Sequence, residues 1–368
     1  MVTTLLISIA IISLISVFLA LLMVIADATI GNYGTVKISI NDGTKELEVK
    51  GGQPLLKALN QEGVFIPSAC GGRGSCGMCK VRVVQGGGEY LPTELPWINE
   101  EEKKNQVRLS CQFKVKSDVA IVIPEELFSV REYSTVVEKI RDLTHDIKEI
   151  TLLLKDPAQI SPKAGQYVQF MVPEYELTDE SVYRAYSIAS PPGDSSRVEL
   201  EIRLVPNGIC TTYVHKHLKE GDKVTINGPY GDFYLRDTDR NIIFIAGGSG
   251  MAPIKSILLD MEKNQNPRPA QYFFGARSKR DLFLLDEMRE LEKKMPNFTF
   301  IPALSEPQPE DNWEGEVGLI TDVVRRMTKD GSNSEAYLCG SPGMINACIT
   351  VLNELGVLPE NIFYDKFS

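Results

Sequence analysis

Positive charge is scarce in this chain. Its 39 Lys and Arg are outnumbered by 49 Asp and Glu, a formal net charge of −10. That excludes a nucleic-acid binder, which needs a basic surface. No residue of either charge occurs between Val2 and Ala26, and no Lys or Arg precedes Lys37. Repeats and low-complexity tracts are absent, so 368 residues of ordinary globular composition, 43 % hydrophobic and 24 % charged, point to two or three folded domains. The cysteine count, seven, is odd, and Cys210, Cys339 and Cys348 are scattered. That pattern fits free thiols in a reducing compartment better than a secreted disulfide scaffold.

The uncharged run of 25 residues from Val2 to Ala26 is long enough to cross a bilayer core of about 30 Å. A cleavable signal peptide is the alternative, and Ala26-Asp27-Ala28 resembles a cleavage site, but the basic n-region such a peptide needs is missing. The first basic residues come after the span. The expectation is therefore a single-pass anchor over residues 1–30 in the inner (cytoplasmic) membrane, with the N-terminus outside and the remainder on the cytoplasmic side.

One stretch organises the rest of the chain. In Ile66-Pro67-Ser68-Ala69-Cys70-Gly71-Gly72-Arg73-Gly74-Ser75-Cys76-Gly77-Met78-Cys79, three cysteines fall at C-x5-C-x2-C spacing, and Cys111 stands alone further on. The interleaved glycines let the backbone wrap around an object and turn its N–H groups inward, towards negative charge. Four thiolates, Cys70, Cys76, Cys79 and Cys111, make the ligand set of a 2Fe-2S cluster, close to the plant-type spacing. Zinc is the rival, although structural zinc sites pair C-x2-C with a second short pair; disulfides are the bland alternative.

Short alternating runs, Val36–Ile40 and Glu46–Val49, flank Asn41-Asp42-Gly43, a hairpin signal. A short helix starts near Pro54, and strands are expected at Lys80–Val84 and Val119–Ile123. Together these make a β-grasp module over 34–125. Pro124-Glu125-Glu126 marks a boundary. Short strands at Tyr133–Ile140, Ile147–Leu154, Gln166–Met171, Val198–Leu204 and Lys223–Asn227 then suggest an antiparallel barrel over 130–236. From Asn241-Ile242-Ile243-Phe244-Ile245-Ala246, a buried parallel strand, strand and helix alternate to the end. The fold class is thus multidomain: a transmembrane helix, a β-grasp 2Fe-2S domain, an antiparallel β-barrel and an α/β nucleotide-binding domain over 240–368.

In the barrel, Arg184 of Tyr183-Arg184-Ala185-Tyr186-Ser187-Ile188 can hold a pyrophosphate, Tyr186 can lie against a flat ring, and Ser187 can bond a flavin nitrogen. Asn207-Gly208-Ile209-Cys210-Thr211-Thr212-Tyr213 begins a helix, with Thr211 or Thr212 expected to cap it and to face phosphate. After the first α/β strand comes Ala246-Gly247-Gly248-Ser249-Gly250-Met251-Ala252-Pro253. The strand–turn–helix context suits a dinucleotide site, with Pro253 expected at the first helical position. No acidic residue ends the second strand, where Rossmann dehydrogenases place one. Gly275-Ala276-Arg277-Ser278-Lys279-Arg280 stands there instead, and Ser278 and Arg280 are candidate holders of a 2′-phosphate. Tyr337-Leu338-Cys339-Gly340-Ser341-Pro342 puts Cys339 at a strand's carboxyl end, where open α/β sheets bind ligands. Asn361–Tyr364 reads as a strand beside it, carrying Phe367 to the same crevice.

From Tyr183 onward these motifs, in this order, resemble the ferredoxin–NADP reductase superfamily, in which R-x-Y-S binds flavin, G-x-G-x-x-P binds nicotinamide nucleotide and C-G-x-P approaches the nicotinamide. The N-terminal span, the cysteine loop, Gly86-Gly87-Gly88 leading to Leu91-Pro92-Thr93-Glu94-Leu95, and Ser305–Trp313 narrow the resemblance to the F-subunit family of Na+-translocating NADH:quinone reductases. The link between Pro173 and Arg184 is shorter than that family's.

The resemblance implies three cofactors: FAD, NADH and a 2Fe-2S cluster. FAD would lie on Arg184, Tyr186, Ser187, Ile188, Arg203, Val205, Gly208, Cys210, Thr211 and Thr212, with Phe367 stacked on its ring. NADH would lie on Gly247, Gly248, Ser249, Gly250, Met251, Ala252, Pro253, Gly275, Arg277, Cys339, Gly340, Ser341 and Pro342, with Tyr186, Ser187, Cys339 and Phe367 at the reacting centre. The implied function is a membrane-anchored NADH dehydrogenase that passes electrons via FAD and the cluster to other membrane subunits of a redox complex. The alternatives are a reductase serving an oxygenase or another acceptor protein, and a membrane-tethered ferredoxin-like binding protein without turnover.

Overall fold

The computed structural model describes residues 2–30 and 33–367; Met1, Gly31, Asn32 and Ser368 lie outside the described residues. The chain divides into two compact units, residues 1–129 and 130–368.

The first unit begins with α1 (Val2–Ile30). Its segment Ile7–Val24 is long and apolar enough to cross a membrane, and none of it is buried by protein. Leu14 and Met23, both 74 % exposed, show that the apolar side chains of this segment lie outside the protein core. A five-stranded sheet comes next, in the order β2-β1-β5-β3-β4. Its strands are β1 (Thr35–Ile40), β2 (Lys45–Lys50), β3 (Lys80–Gln85), β4 (Val107–Leu109) and β5 (Val119–Val122). Val36, Ile38 and Ile40 alternate into the core against α2 (Leu55–Gln61), whose Leu55, Leu56, Ala58 and Leu59 are buried. The β1–β2 hairpin turns through Asn41 and Asp42, both at positive φ, as the Asn-Asp-Gly signal implied. β1 runs parallel to β5, which gives the sheet its grasp topology.

The long loop between β3 and β4, which carries the short helix α3 (Glu100–Lys104), is tied down by one buried ion pair. Glu94 and Arg108 have side chains 0 % and 3 % exposed, with Arg108 Nη2 donating to Glu94 Oε2 at 2.6 Å and Nε to Oε1 at 2.9 Å. Glu94 also accepts from the N–H groups of Leu91 and Leu109, and Arg108 donates to the carbonyls of Gly87 and Glu89 while lying over the Tyr90 ring. The Gly86–Gly88 and Leu91–Leu95 motifs are thereby explained as a strap anchored on one carboxylate. Burial alone would raise the Glu94 acid, but Arg108 and the two N–H groups outweigh it and hold the pKa below its ordinary 4.5. A group depressed on folding stabilises the fold above its unfolded pKa and loses that contribution as pH falls below it. Glu94→Ala leaves Arg108 buried and unpaired. It should cost about 3–5 kcal/mol, read as an earlier loss of the cluster's visible absorbance in a denaturant titration. An unshifted midpoint would contradict the anchoring role.

The second unit holds a six-stranded antiparallel sheet, β10-β7-β6-β11-β8-β9, built from β6 (Arg131–Asp142), β7 (Ile147–Asp156), β8 (Tyr167–Val172), β9 (Val182–Ser187), β10 (Arg197–Arg203) and β11 (Lys223–Tyr230). It closes on itself where Ile188 pairs with Leu200, so the barrel is confirmed. Val198, Leu200 and Ile202 face its interior, while Glu199, Glu201 and Arg203 alternate to the outside. The helix α4 (Ile209–Lys216) comes after β10.

The α/β part is a parallel sheet in the order β15-β14-β13-β12-β16-β17. Its strands are β12 (Asn241–Gly247), β13 (Ala270–Ala276), β14 (Phe298–Leu304), β15 (Glu316–Val317), β16 (Ser334–Gly340) and β17 (Ile362–Lys366). The helices α5 (Met251–Lys263), α6 (Leu285–Lys294), α7 (Ile320–Met327) and α8 (Pro342–Glu354) connect them. The chain leaves β12 in one direction and returns as β16 on its other side. That switch point is where sheets of this kind leave a crevice at the strands' carboxyl ends.

Candidate functional site

The cysteine loop packs against the segment just after β4. The N–H and hydroxyl of Ser110 both donate to the Cys79 carbonyl, at 2.8 and 2.9 Å, which brings Cys111 beside Cys79. The four thiols fall into two pairs. Cys76 donates to Cys70 at 3.4 Å between sulfurs, and Cys79 bonds Cys111. Backbone N–H groups of Arg73 and Ser75 point at the Cys70 sulfur, that of Met78 at Cys76 and that of Gly74 at Cys111. This is a nest for negative charge, and it shows on the thiols. The Cys76 hydrogen bond brings Cys70 down to about 4 while Cys76 is pushed up; Cys111 comes down to about 7 and Cys79 rises. Gly77 cannot carry a side chain, because a Cβ would sit 2.6 Å from the Trp97 ring.

A single zinc ion would gather three or four of these ligands around one point. Among the described residues no three His, Cys, Asp or Glu side chains do so. Two pairs of thiols with inward N–H groups suit the four-cysteine ligand set of a 2Fe-2S centre, whose negative charge those N–H groups would meet. All seven cysteines are free of disulfides.

On the barrel, Tyr186 and Ser187 end β9. Tyr186 meets Phe170 edge to face, with ring centroids 6.4 Å apart, and shares a hydrogen bond with the Cys210 thiol at the start of α4. Arg184 is half-buried, with Nη1 donating to the Tyr183 carbonyl at 2.7 Å, and it lies close enough to Cys210 to act on its thiol. Arg184 and Tyr186 therefore converge on Cys210 at the start of α4, while Ser187 and Ile188 are buried at the end of β9. A guanidinium, an aromatic ring and a helix start side by side fit a flavin diphosphate and its ring.

The expected cap on α4 is corrected. Gly208 is the N-cap, and neither threonine caps the helix. Thr211 Oγ1 instead accepts from the Val205 N–H at 3.1 Å, while the Thr212 N–H donates to the Gly208 carbonyl. The helix starts at Ile209, so both threonines already lie inside it and neither stands at the capping position. Val205 itself is exposed, and Arg203 is held by Asp146, with Nε to Oδ2 at 2.7 Å.

At the switch point, Gly247–Gly250 leave β12 and α5 begins at Met251. Pro253 is the third helical residue and not the first; the short turn Gly248–Gly250 displaces it, and the first helical turn still lacks partners for its N–H groups, so proline fits. Gly248 sits at φ +57. Gly250 touches β16 so closely that a Cβ would lie 2.2 Å from the Cys339 carbonyl oxygen. A cavity of about 400 Å³ opens here, lined by Gly247, Gly248, Gly275, Arg277, Ser341 and Met344, and by Arg203 and Asp146 from the barrel. Ser249 is half-buried at the turn, while Gly250, Met251, Ala252 and Pro253 are buried beneath it. Cys339 and Gly340 are buried at the end of β16, Ser341 caps α8, and Pro342 is exposed at its start. Burial, Asp365 and Glu201 together push the Cys339 thiol well up, so it is neutral. Phe367 leaves β17 beside this edge, where its N–H donates to the Gly340 carbonyl at 2.8 Å. The strand expected at Asn361–Tyr364 is β17, parallel to β16.

Two acidic residues at this crevice escaped sequence reasoning. Asp281 lines the cavity, and its Oδ2 accepts from both the N–H and the hydroxyl of Ser278, at 2.9 and 2.8 Å. Ser278 is therefore not available to a 2′-phosphate. Glu306 pairs with Arg277 Nε at 2.8 Å, and Arg280 lies 3.8 Å from Asp281. The Ser278-x-x-Asp281 spacing is a capping-box signature, the one sequence signal that could have revealed Asp281.

The chain matches three families: residues 38–116 a "2Fe-2S iron-sulfur cluster binding domain", 134–234 an "Oxidoreductase FAD-binding domain" and 244–349 an "Oxidoreductase NAD-binding domain". The F-subunit of the Na(+)-translocating NADH-quinone reductase from Neisseria meningitidis serogroup C is 40 % identical, over 95 % of this chain and 96 % of that protein. The F-subunit from Actinobacillus succinogenes is 39 % identical, over 95 % of each. Among solved structures, the Amycolatopsis cytochrome P450 reductase superposes with a TM-score of 0.73 at 27 % identity, covering 90 % of this chain and 99 % of that one. The ferredoxin reductase of carbazole 1,9a-dioxygenase shares the fold, with a TM-score of 0.69 at 24 % identity over 91 % and 99 %.

Proposed function

The chain belongs to the F-subunit family of Na(+)-translocating NADH-quinone reductases, and on that premise we propose that it is the electron-input subunit of such a complex. It is an NADH-dependent oxidoreductase that uses FAD and a 2Fe-2S cluster. The observation that carries this reading is the two-by-two pairing of the four cysteines, a one-electron centre in a chain that also builds a nucleotide crevice and a flavin barrel. FAD, when bound, supplies the conversion between a two-electron hydride and single electrons.

Residues 1–30 are assigned to the anchor, 34–125 to the cluster, 130–236 to FAD and 240–368 to NADH. Cys70, Cys76, Cys79 and Cys111 hold the iron. Arg184, Tyr186, Ser187 and the α4 start hold the flavin, and the Gly247–Gly250 turn with Ser341 holds the dinucleotide. Phe367 covers the flavin face until nicotinamide displaces it. Electrons leave to other membrane subunits, with the redox domains on the cytoplasmic side of the inner membrane. Oxygenase reductases share the three-part fold, but the exposed apolar α1 favours a membrane acceptor.

The crevice also favours NADH over NADPH. Arg277 and Arg280, which line the crevice after β13, already face Glu306 and Asp281, so a 2′-phosphate would bring its charge against two carboxylates. In ferricyanide reduction, kcat/KM for NADH should exceed that for NADPH by about 10²-fold or more, the scale set by a mismatched polar group. Phe367→Ala should perturb the flavin absorption bands and narrow that ratio. Equal use of both nucleotides by the wild type, or unchanged spectra and ratio in the variant, would contradict these assignments.

A further inference from the structure

The helix that carries the glycine turn is fastened to the barrel by a buried cation. Lys255 lies five residues after Gly250 on α5 and is 6 % exposed. Its Nζ is 2.9 Å from Glu149 Oε2 on β7 and 3.1 Å from Glu199 Oε2 on β10. The next residue, Ser256, donates its hydroxyl to the Ser190 carbonyl at 2.7 Å, also buried. Ser190 lies three residues after Ser187, on the segment that carries the flavin candidates. Glu201, 3 % exposed on the same outer face of β10, has both carboxyl oxygens buried without a hydrogen-bond partner.

A buried lysine is costly unless paired, and its removal leaves buried carboxylates uncompensated. Apolar packing also holds α5, since Met251, Ile254 and Leu258 are buried in one core with the parallel sheet, a core that Ile147 of β7 and Phe233 join. Apolar packing is non-directional, whereas an ammonium held between two carboxylates on two strands fixes register. The Ser190 segment runs directly from Tyr186 and Ser187 on β9 to β10, the strand of Glu199, and the Glu199 N–H donates to the Ser190 hydroxyl at 3.2 Å; the helix it grips follows directly on Gly248–Gly250.

We propose that Lys255, held by Glu149 and Glu199 beside Glu201 and seconded by Ser256, is a positioning residue that sets the distance between the nucleotide turn and the flavin strand for hydride transfer. It takes no part in bond making: NADH supplies the hydride and the flavin receives it. This rests on the assignment of dinucleotide to the turn and flavin to the barrel.

Glu201 makes the device sensitive to pH. Burial pushes its acid up to about 8, with Lys255 pulling the other way, so at neutral pH it holds its proton and leaves Lys255 to the other two carboxylates. The charged or titratable groups facing it are Glu149 of β7, Glu199 of β10, Lys255 of α5, Glu287 of α6, Tyr272 of β13 and Cys339 of β16, with Arg141 of β6 behind Glu149. As pH rises through about 8, ionised Glu201 becomes a third claimant on the one ammonium and draws it from its two partners.

The test uses the full-length chain loaded with FAD and cluster, comparing wild type with Lys255→Met, Lys255→Arg and Glu201→Gln. It measures flavin bleaching at saturating NADH, NADH affinity, the long-wavelength charge-transfer band between nicotinamide and flavin, and amide hydrogen exchange over residues 248–256. Lys255→Met should slow bleaching about 10²-fold, the scale of a displacement near 1 Å. Its NADH affinity should stay within about threefold, its charge-transfer band should be lost, and exchange at the turn should rise. Lys255→Arg, which keeps the charge, should recover most of the rate. The wild-type rate should fall above about pH 8, and Glu201→Gln should be flat there. If wild type bleaches with NADH and Lys255→Met does so equally fast with its band intact, the inference is overturned while the site assignment stands. If Lys255→Met sheds its flavin, the Arg and Gln variants decide: no recovery in the first, or an unchanged pH profile in the second, overturns it. Failure of wild type itself to bleach overturns the site assignment beneath it.

Discussion

Cys76→Ser is expected to abolish the 2Fe-2S EPR signal of the reduced protein and to leave bound flavin at the wild-type level. Cys76 is one half of a thiol pair, 3.4 Å from Cys70. Its loss would take one thiolate from the proposed ligand set and leave Cys70 without its thiol partner. A serine oxygen sits nearer the backbone and is a harder donor, so it does not replace sulfur in a soft iron–sulfide centre. The flavin is expected to survive because its residues, Arg184 to Thr212, lie in the unit spanning 130–368 while the cysteines lie in 1–129. A signal of full intensity in Cys76→Ser would remove that cysteine from the ligand set.

Gly250→Ala is expected to abolish NADH-dependent flavin reduction while dithionite still reduces the cluster. The obstacle is not backbone conformation, for Gly250 has φ −63, which alanine adopts freely. It is contact: the added Cβ would lie 2.2 Å from the Cys339 oxygen and 2.7 Å from its carbonyl carbon. Every residue of β16 is buried between two neighbouring strands, so the strand cannot give way and the turn must lift. Overpacking of this kind costs about 1–3 kcal/mol or more, and a turn displaced by about 1 Å loses roughly 10²-fold in rate. Gly248→Ala should be milder, since φ +57 strains it but no atom lies nearer than 3.6 Å. Wild-type NADH oxidation by Gly250→Ala would mean that the turn does not carry the dinucleotide.

Local chemistry was legible in the sequence, and pairings across long stretches of chain were not. The cysteine spacing, the hairpin at Asn41-Asp42 and the strand–glycine turn–helix at Gly247–Pro253 each depend on neighbours a few residues away, and each appears where the pattern placed it. Thr211 is not the cap because the helix starts two residues before it, at Ile209, and its hydroxyl accepts from the Val205 N–H, six residues back. The Arg277–Glu306 pair spans 29 residues and the Lys255–Glu149 pair 106; no periodicity links such partners. Glu94 was visible only as part of a motif without a reason. Its meaning required Arg108 to be folded against it.

The central claim, that NADH loads the cluster only by way of the flavin site, is tested most directly by anaerobic rapid mixing of the full-length chain with NADH. Flavin absorbance and the EPR signal of the reduced cluster would be tracked in parallel samples. The account predicts that flavin bleaching precedes the EPR signal, and that protein stripped of flavin shows no cluster reduction by NADH although dithionite still produces the signal. Cluster reduction by NADH at the same rate in flavin-free protein would contradict it.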